Sequence, residues 1–142
     1  MTMTTVHRQV HVRHGDTEAD VDELLAPLIL ACWRVGIQTV MSCQHFDPAS
    51  SGSYDTGRPL VWIVFPGEHD AKRFLQLAPP GGLWFDVRPI VVTEEHAAGA
   101  TQGVEFVGQT FWHVSFPRHQ LRAMTRAVGR RAAARRRQVV RT

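Results

Sequence analysis

The apolar run Leu-Val-Trp-Ile-Val-Phe at residues 60–65 constrains the fold more than any other stretch of this sequence. A continuous apolar run of this length, ended by Pro66 and Gly67, is typical of a strand that is buried on both faces. We therefore predict that residues 60–65 form the central strand of a sheet. With 142 residues, the chain is long enough for one domain with one core.

Shorter patterns predict the other strands. Residues 6–14 alternate, with Val10 and Val12 on one face and His11 and Arg13 on the other, which indicates a half-buried strand with a polar face. Further strands are predicted over 37–43, 83–92 and 110–116, and a short one over 104–107. Pro89 within 83–92 marks an edge strand or a bulge. The polar segment 44–59 is predicted to be a long loop, which in so small a domain is either functional or disordered.

Helical periodicity first covers residues 20–35, where apolar residues recur on one face. Asp20 is predicted as the N-cap, with Glu23 completing a capping box, and Gly36 fits the C′ position. Pro27 predicts a kink in this helix. A second helix is predicted over 68–78, and a third begins after Pro117.

The predicted order is β-α-β-β-α-β-(β)-β-α, which favours an α+β fold. We predict a ferredoxin-like sandwich, with a mixed or antiparallel sheet and the helices on one face. Residues 1–129 are predicted to form the single domain. Residues 130–142 are predicted to form a basic tail, for which disorder is left open.

The charge is divided unevenly along the chain. Residues 1–117 hold all 13 acidic residues but only 7 of the 16 Lys and Arg, a net of −6, whereas residues 118–142 hold nine Arg and no acid. This division predicts an acidic body with a basic arm that contacts nucleic acid, an acidic protein surface or a second copy of the chain.

The chain carries no pattern for export or for crossing a membrane. The first ten residues lack the apolar centre of a secretory signal, and the longest nearly apolar run, 24–33, is too short to cross a bilayer. We therefore expect a cytoplasmic protein with no membrane partner, in which Cys32 and Cys43 are free thiols.

The string Arg-His-Gly-Asp-Thr at 13–17 follows a predicted strand. It resembles the signature of the histidine phosphatases, which implies that His14 takes up a phosphoryl group while Arg13 binds its oxygens. The Asn that usually follows this signature and the downstream Gly-x-x-Gln-Ala segment of that family have no counterpart here. We therefore favour the alternative that Gly15 and Asp16 turn the chain between a strand and the following helix.

The string Gly-Ile-Gln-Thr-Val-Met-Ser-Cys-Gln at 36–44 follows the first predicted helix. Over residues 20–65 the chain resembles the N-terminal part of the wybutosine-synthesising tRNA methyltransferases. It is also similar to small uncharacterised bacterial and phage proteins that carry a Gly-Ile-x-Thr-x-x-Ser-Cys-Gln string. The Gly-Arg of the methyltransferase signature is missing after Cys43. The resemblance therefore implies a shared architecture, with Thr39, Ser42 and Cys43 as motif positions, and S-adenosylmethionine binding as an alternative.

The segment 42–45 ends a predicted strand and opens the long loop, a place where a rigid scaffold commonly presents binding groups. Its hydroxyl, thiol, amide and imidazole offer several hydrogen bonds in a small volume. We predict a pocket there, with loop 44–59 as its cover and positive charge supplied from the polar face of strand 6–14. The predicted ligand-binding residues are His11, Arg13, Thr39, Ser42, Cys43, Gln44, His45 and His113.

Two other chemistries are conceivable for the same segment. Cys43 and His45 would need His11 or His113 to bind zinc, but the paired spacings of a structural zinc site are absent, so no metal site is predicted. Cys43 as a covalent nucleophile would need His45 as its base, which requires the strand to continue through both. The sequence leaves catalysis and any cofactor open.

Arginines and apolar residues share the last predicted helix on opposite faces. The arginines recur at i, i+4 and form one basic row that fits phosphates or an acidic partner. No aromatic residue lies among them, so a sequence-specific RNA reader is not predicted. The basic row comprises Arg118, Arg122, Arg126 and Arg130, and the apolar face comprises Leu121, Met124 and Val128.

These patterns together predict a small soluble domain that binds an anionic ligand, either a nucleotide-like molecule or RNA, in a pocket at 42–45. Two alternatives remain from the same residues. One is an enzyme, either of an RNA-modifying type or similar to a histidine phosphatase. The other is a protein-interaction module, including a homodimer, that uses the arginine-rich helix.

Overall fold

The computed structural model describes residues 8–46, 59–91 and 107–141, with the side chains of all of these except 43–46 and 139–141. The helices and antiparallel strands confirm the predicted α+β fold. The elements in chain order are β1 (Gln9–His14), β2 (Thr17–Asp22), α1 (Ala26–Arg34), β3 (Met41–Phe46), β4 (Leu60–Phe65), α2 (Glu68–Gln76), β5 (Asp86–Val91), β6 (Thr110–Pro117), a 3₁₀ turn (Arg118–Gln120) and α3 (Leu121–Arg141). The strand predicted over 104–107 lies almost wholly outside the described residues.

Four strands form the main sheet in the order β3-β4-β6-β5, and every neighbouring pair is antiparallel. β4 lies inside the sheet, as its continuous apolar sequence predicts. β5, which contains Pro89, is an edge strand, where the missing N–H of proline costs no ladder hydrogen bond. β3 forms the opposite edge. It begins at Met41, four residues later than predicted.

The ferredoxin-like connectivity is not confirmed. β4 and β5 both run antiparallel to β6, which lies between them, so β4, α2, β5 and β6 form a split β-α-β unit. A ferredoxin-like chain, with the order β-α-β-β-α-β, adds its remaining strand after this unit and a second helix. Here the remaining strand, β3, comes before the unit in the chain.

One core joins the three helices, β1, β2 and one face of the sheet. Alternate residues of β4, Val61, Ile63 and Phe65, enter this core, as the period of two in a strand requires. The ring of Phe74 on α2 lies 5.2 Å from that of Phe65 and 6.2 Å from that of Phe116 on β6. These fully buried rings hold α2 against the sheet.

Residues 17–22 form a strand, where the sequence analysis predicted a turn and the first part of a helix. β1 and β2 pair as an antiparallel hairpin, separate from the main sheet, around Gly15 and Asp16. Gly15 has a φ of 59° and no other residue of the turn has a positive φ, the pattern of a type II′ hairpin turn. The turn at Gly15 and Asp16 therefore exists, but it links two strands.

The first helix begins at Ala26, so the predicted N-cap at Asp20 and the capping box with Glu23 are wrong. Asp20 lies in β2 opposite His11, because the backbone of 17–22 obtains its hydrogen bonds from β1. Pro27 lies in the first turn of α1, where its missing N–H has no intrahelical partner to lose. The predicted kink is therefore absent.

The C-terminus of α1 matches the prediction at Gly36. Gly36, at a φ of 81°, donates its N–H to the carbonyl of Trp33 at 3.0 Å, and Ile37 donates to that of Cys32 at 2.9 Å. This pair of bonds is a Schellman motif. Arg73 of α2 adds a clamp, since its guanidinium donates to the carbonyls of Val35 at 2.7 Å and Gly36 at 3.2 Å.

Helix α3 packs on the core with the predicted residues. Leu121, Met124 and Val128 are buried, and Ala132 extends the same face by another turn. The helix passes without a break through the predicted domain boundary between residues 129 and 130. Residues 130–138 are thus helical, with Ala132 as their one buried residue, where disorder was left open. Residue 142 lies outside the described part of the chain.

Candidate functional site

The hairpin carries two predicted ligand residues, and both already have acidic neighbours. His11 Nδ1 lies 2.9 Å from Asp20 Oδ1, and Arg13 Nε lies 3.9 Å from Glu18 Oε2. The hydrogen bond to Asp20, helped by the charges of Asp20 and Glu18, raises the pKa of His11. His11 and Arg13 therefore balance carboxylates within the hairpin. They do not join the sheet that contains Ser42.

His14, the nucleophile implied by the phosphatase resemblance, is exposed at the last position of β1, opposite Thr17. Arg13, the residue that would bind the phosphoryl oxygens, donates through Nε to the carbonyl of Gly15 at 3.3 Å. Arg13 and His14 thus end the strand that leads into the hairpin turn, and Gly15 and Asp16 turn the chain as the favoured interpretation predicts.

The motif positions 39–45 divide between different surroundings. The Thr39 hydroxyl accepts a hydrogen bond of 3.0 Å from the indole N–H of Trp33, which fixes the segment after α1. Ser42 is half-buried in β3 and pairs in register with Ile63, a core residue. Cys43 pairs in register with Trp62. The side chains of Cys43, Gln44 and His45 lie outside the described residues.

The sheet has a second face, opposite the helices, that we call the outer face. Because side chains alternate along strands, it carries the residues between the core positions of β4, β6 and β5. One register row crosses all four strands, and the next row holds a second polar pair. The first row is Cys43, Trp62, Ser115 and Asp86, and the second contains His113 opposite Arg88.

Aromatic stacking and burial define the chemistry of the outer face. The rings of Trp62 and His113 are stacked, with centroids 5.5 Å apart and planes inclined by 28°. Burial lowers the pKa of His113, and the neighbouring Arg88 acts in the same direction, while Asp86 opposes them. His113 is therefore a neutral ring at neutral pH, suited to stacking and to either hydrogen-bonding role.

The polar groups beside this stack are an ion pair and a hydroxyl. Arg88 Nε lies 2.9 Å from Asp86 Oδ2 at the edge of the sheet. Ser115, directly opposite Asp86, is 0% exposed, and its Oγ has no hydrogen-bond partner among the described residues. Buried hydroxyl groups normally have a partner, so the Ser115 hydroxyl is an exception among the described residues.

The structure thus brings together only part of the predicted set. His113 and the backbone position of Cys43 lie in adjacent rows of the outer face, on either side of Trp62. Trp62, Asp86, Arg88 and Ser115 were missed. The alternation of residues 110–116 signals that His113 and Ser115 share a face, but no local pattern gives the cross-strand register that adds Asp86.

The arginine row of the last helix is exposed as predicted. Arg122, Arg126 and Arg130 project from α3, and Arg118 lies just before it in the 3₁₀ turn. Arg135, on the same helix, instead reaches the C-terminus of α1 and donates to the carbonyl of Arg34 at 3.4 Å.

Among the side chains that the structure describes, which exclude those of 43–46, no three His, Cys, Asp or Glu lie together in a way that could hold a metal ion. Cys32 is a free thiol in the core, and burial raises its pKa to about 12, which keeps it from acting as a nucleophile. None of the helices described is long and apolar enough to span a membrane.

Comparison with known proteins finds no matching family model, no matching curated protein and no matching solved structure. The resemblances of 13–17 to histidine phosphatases and of 20–65 to tRNA methyltransferases therefore stay predictions from the sequence.

Proposed function

We propose that the protein binds an anionic, nucleotide-like ligand on the outer face of its sheet, either as a free nucleotide or as part of an RNA. The observation that carries this proposal is the buried, unpartnered hydroxyl of Ser115. A buried polar group without a partner costs about 1–3 kcal/mol. A ligand atom that hydrogen-bonds to Ser115 removes this cost, and because Ser115 is fully buried the groups that cover it have to move aside for that bond to form.

The neighbours of Ser115 favour a flat, polar and negatively charged ligand. The stacked pair of Trp62 and His113 offers planar surfaces to a base. Arg88 carries a guanidinium of the kind that binds phosphate, and since it already forms an ion pair with Asp86, a phosphate would share or replace that pair. A nucleotide combines all of these partners, and the resemblance of residues 20–65 to tRNA-modifying enzymes agrees with an RNA ligand.

The proposal is tested by the thermal stability of wild type and Ser115→Ala with a panel of nucleoside monophosphates and a short single-stranded RNA. Wild type should be stabilised by at least one of them, by about 2.7 kcal/mol at a ligand concentration of 100 times Kd. The alanine variant should be equally stable or more stable without ligand, because it removes the unpaired hydroxyl. Its affinity should fall by about 2- to 13-fold, the value of one neutral hydrogen bond.

Ser42→Ala is the matched control, since Ser42 is also a strand serine but pairs with Ile63 in the core. Its nucleotide binding should equal that of wild type. A wild-type protein that no nucleotide or RNA stabilises would contradict the proposal. So would a Ser115→Ala variant that binds as tightly as wild type, or a loss of binding in Ser42→Ala alone.

A further inference from the structure

Helix α3 presents a row of guanidinium groups on the side that faces away from the protein. With 21 residues, the helix is about 31 Å long. Its apolar residues, from Leu121 to Ala132, face the core. At about 100° per residue, Arg126, Arg130 and Arg137 project opposite to that face, and Arg122 lies beside them. We call these four residues the outer arginine row; from Arg122 to Arg137 it extends about 22 Å.

The outer arginine row has no counter-charge among the residues that the structure describes. Within the described part of the chain, none of its guanidinium groups forms an ion pair or a hydrogen bond. The helix itself contains no acidic residue. Like charges at i, i+4, as in Arg122, Arg126 and Arg130, repel one another along a helix. A polyanion laid along the row would offset this repulsion.

The acidic groups of the described residues are largely paired within the molecule. Seven of the eight acidic residues in the described ranges already bond to a neighbour on the same chain, so these ranges offer the outer arginine row of a second copy few unpaired carboxylates. These seven are Glu18, Asp20, Asp22, Glu23, Glu68, Asp70 and Asp86. Among the described residues, the internal pairing therefore favours an external polyanion over a second copy as the partner of the row.

The chemistry of the helix also separates the possible polyanions. Its apolar face is buried in the core, so α3 cannot insert that face into a lipid surface. Residues 121–141 include no aromatic side chain on which a base could stack. What remains is a row of cations at a rise of about 6 Å per i, i+4 step, which suits a chain of phosphates.

We infer that the outer arginine row of α3 binds the sugar-phosphate backbone of nucleic acid without reading its bases. This site is separate from the outer face of the sheet and does not depend on a nucleotide bound there. Duplex and single strand share the backbone chemistry, and the salt dependence of binding distinguishes them. Nucleic-acid affinity scales with the number of phosphates neutralised, and the slope of log K against log salt is about −0.9 per contact for duplex and −0.7 for single strands.

The test measures the affinity of the full chain for labelled duplex and single-stranded DNA of mixed sequence by fluorescence anisotropy, between about 50 and 200 mM salt. The variant replaces Arg122, Arg126 and Arg130 by glutamine. Its slope should be shallower by about 2.7 on duplex or about 2.1 on single strand, with the same loss for unrelated sequences. Circular dichroism checks that the variant keeps its helix content.

A matched control removes three cations elsewhere, with the substitutions R8Q, R13Q and K72Q. These side chains face Glu23, Glu18 and Glu68. The slope of log K against log salt should therefore differ from that of wild type by less than about 0.9 on duplex, the value of one phosphate contact. An equal loss in both variants would mean that net charge alone drives binding, and would overturn the inference. So would an unchanged slope in the α3 variant, or wild type that fails to bind DNA but forms dimers that the α3 variant does not form.

The proposals for the two sites can be contradicted independently of each other. Ser115→Ala should leave the salt slope on DNA unchanged, and the triple α3 variant should leave nucleotide-induced stabilisation unchanged. A nucleotide effect without DNA binding therefore contradicts only the α3 inference, and DNA binding without a nucleotide effect contradicts only the outer-face proposal.

Discussion

The β1–β2 hairpin and helix α3 are both richly charged, but they treat their charges in opposite ways. On the hairpin, His11 and Arg13 of β1 face Asp20 and Glu18 of β2, and Arg8, just before β1, faces Glu23, just after β2. On α3, the outer arginine row faces no acid in the described part of the chain. Paired charges serve the fold, whereas unpaired charges of one sign create a field that attracts ions and molecules of the opposite sign.

The largest expected effect concerns what holds α3 in place. If its apolar face anchors the helix, Met124→Ala should lower the free energy of unfolding by about 2–5 kcal/mol, the usual cost of truncating a fully buried methionine. Met124→Leu, which nearly conserves volume, should cost less than about 1.5 kcal/mol. Chemical denaturation measures both. A small loss in Met124→Ala would mean that α3 is held by something other than its core face.

The next effect separates two arginines that reach the C-terminus of α1. Arg73→Gln should cost about 1–3 kcal/mol, because it removes two charge-assisted bonds to the carbonyls of Val35 and Gly36. Arg135→Gln should cost only a few tenths, since its single bond to Arg34 is long at 3.4 Å. Urea unfolding of the two variants gives the comparison. Equal costs would show that α3 arginines serve the fold after all.

Removing charges from the two surfaces should change the free energy of unfolding by smaller amounts, with opposite signs on α3 and on the hairpin. At low salt, R122Q/R126Q/R130Q should be more stable than wild type by about 0.4–1 kcal/mol, because two repulsive i, i+4 pairs disappear and Gln matches Arg in helix propensity. Arg13→Gln on the hairpin should instead lose about 0.2–1 kcal/mol. Both differences should shrink as salt is added. A change in stability of the same sign in both variants would contradict the contrast between the hairpin and α3.

The smallest effect is the pH dependence of two histidines. Because the pKa of His11 is raised by Asp20, its contribution to stability is complete below about pH 6.5 and is lost as pH rises through the folded-state pKa. Because burial lowers the pKa of His113, stability falls as pH drops below about 6.5. An NMR titration should therefore find His11 titrating at higher pH than His113. Asp20→Asn should lower the pKa of His11 and leave that of His113 unchanged.

Sequence patterns predicted most of the fold where one signal had no competitor. The apolar run 60–65 indicated an inner strand, and the apolar face of α3 was identified residue by residue. Gly36 was placed at the end of α1 because only glycine readily takes a φ of 81°. Residues 17–22 were misplaced because they fit two patterns. Asp20 looks like an N-cap, yet the alternation of this segment also suits a strand, and pairing with β1 decides the matter.

The candidate site was harder to predict, for a reason that lies in sheet geometry. Ser115 and Asp86 are 29 positions apart in sequence, and they become neighbours only through the register of β5 and β6. Neither residue carries a local pattern of function. His113 was identified because imidazoles are conspicuous, while Trp62 was absorbed into the apolar run of β4. The residue type alone therefore identified one member of the cluster, His113. Its neighbours could be identified only from the strand order and register.

Gln120 joins the start of the last helix to the segment before β5. Its side-chain carbonyl accepts the N–H of Trp84, and its amide donates to the carbonyl of Trp84, both at 2.9 Å. One side chain thus imitates the peptide of a neighbouring strand. Deamidation, the slow conversion of glutamine to glutamate, would remove the donor and place a negative charge against the Trp84 carbonyl. The junction between α3 and the edge of the sheet therefore depends on a neutral amide at position 120.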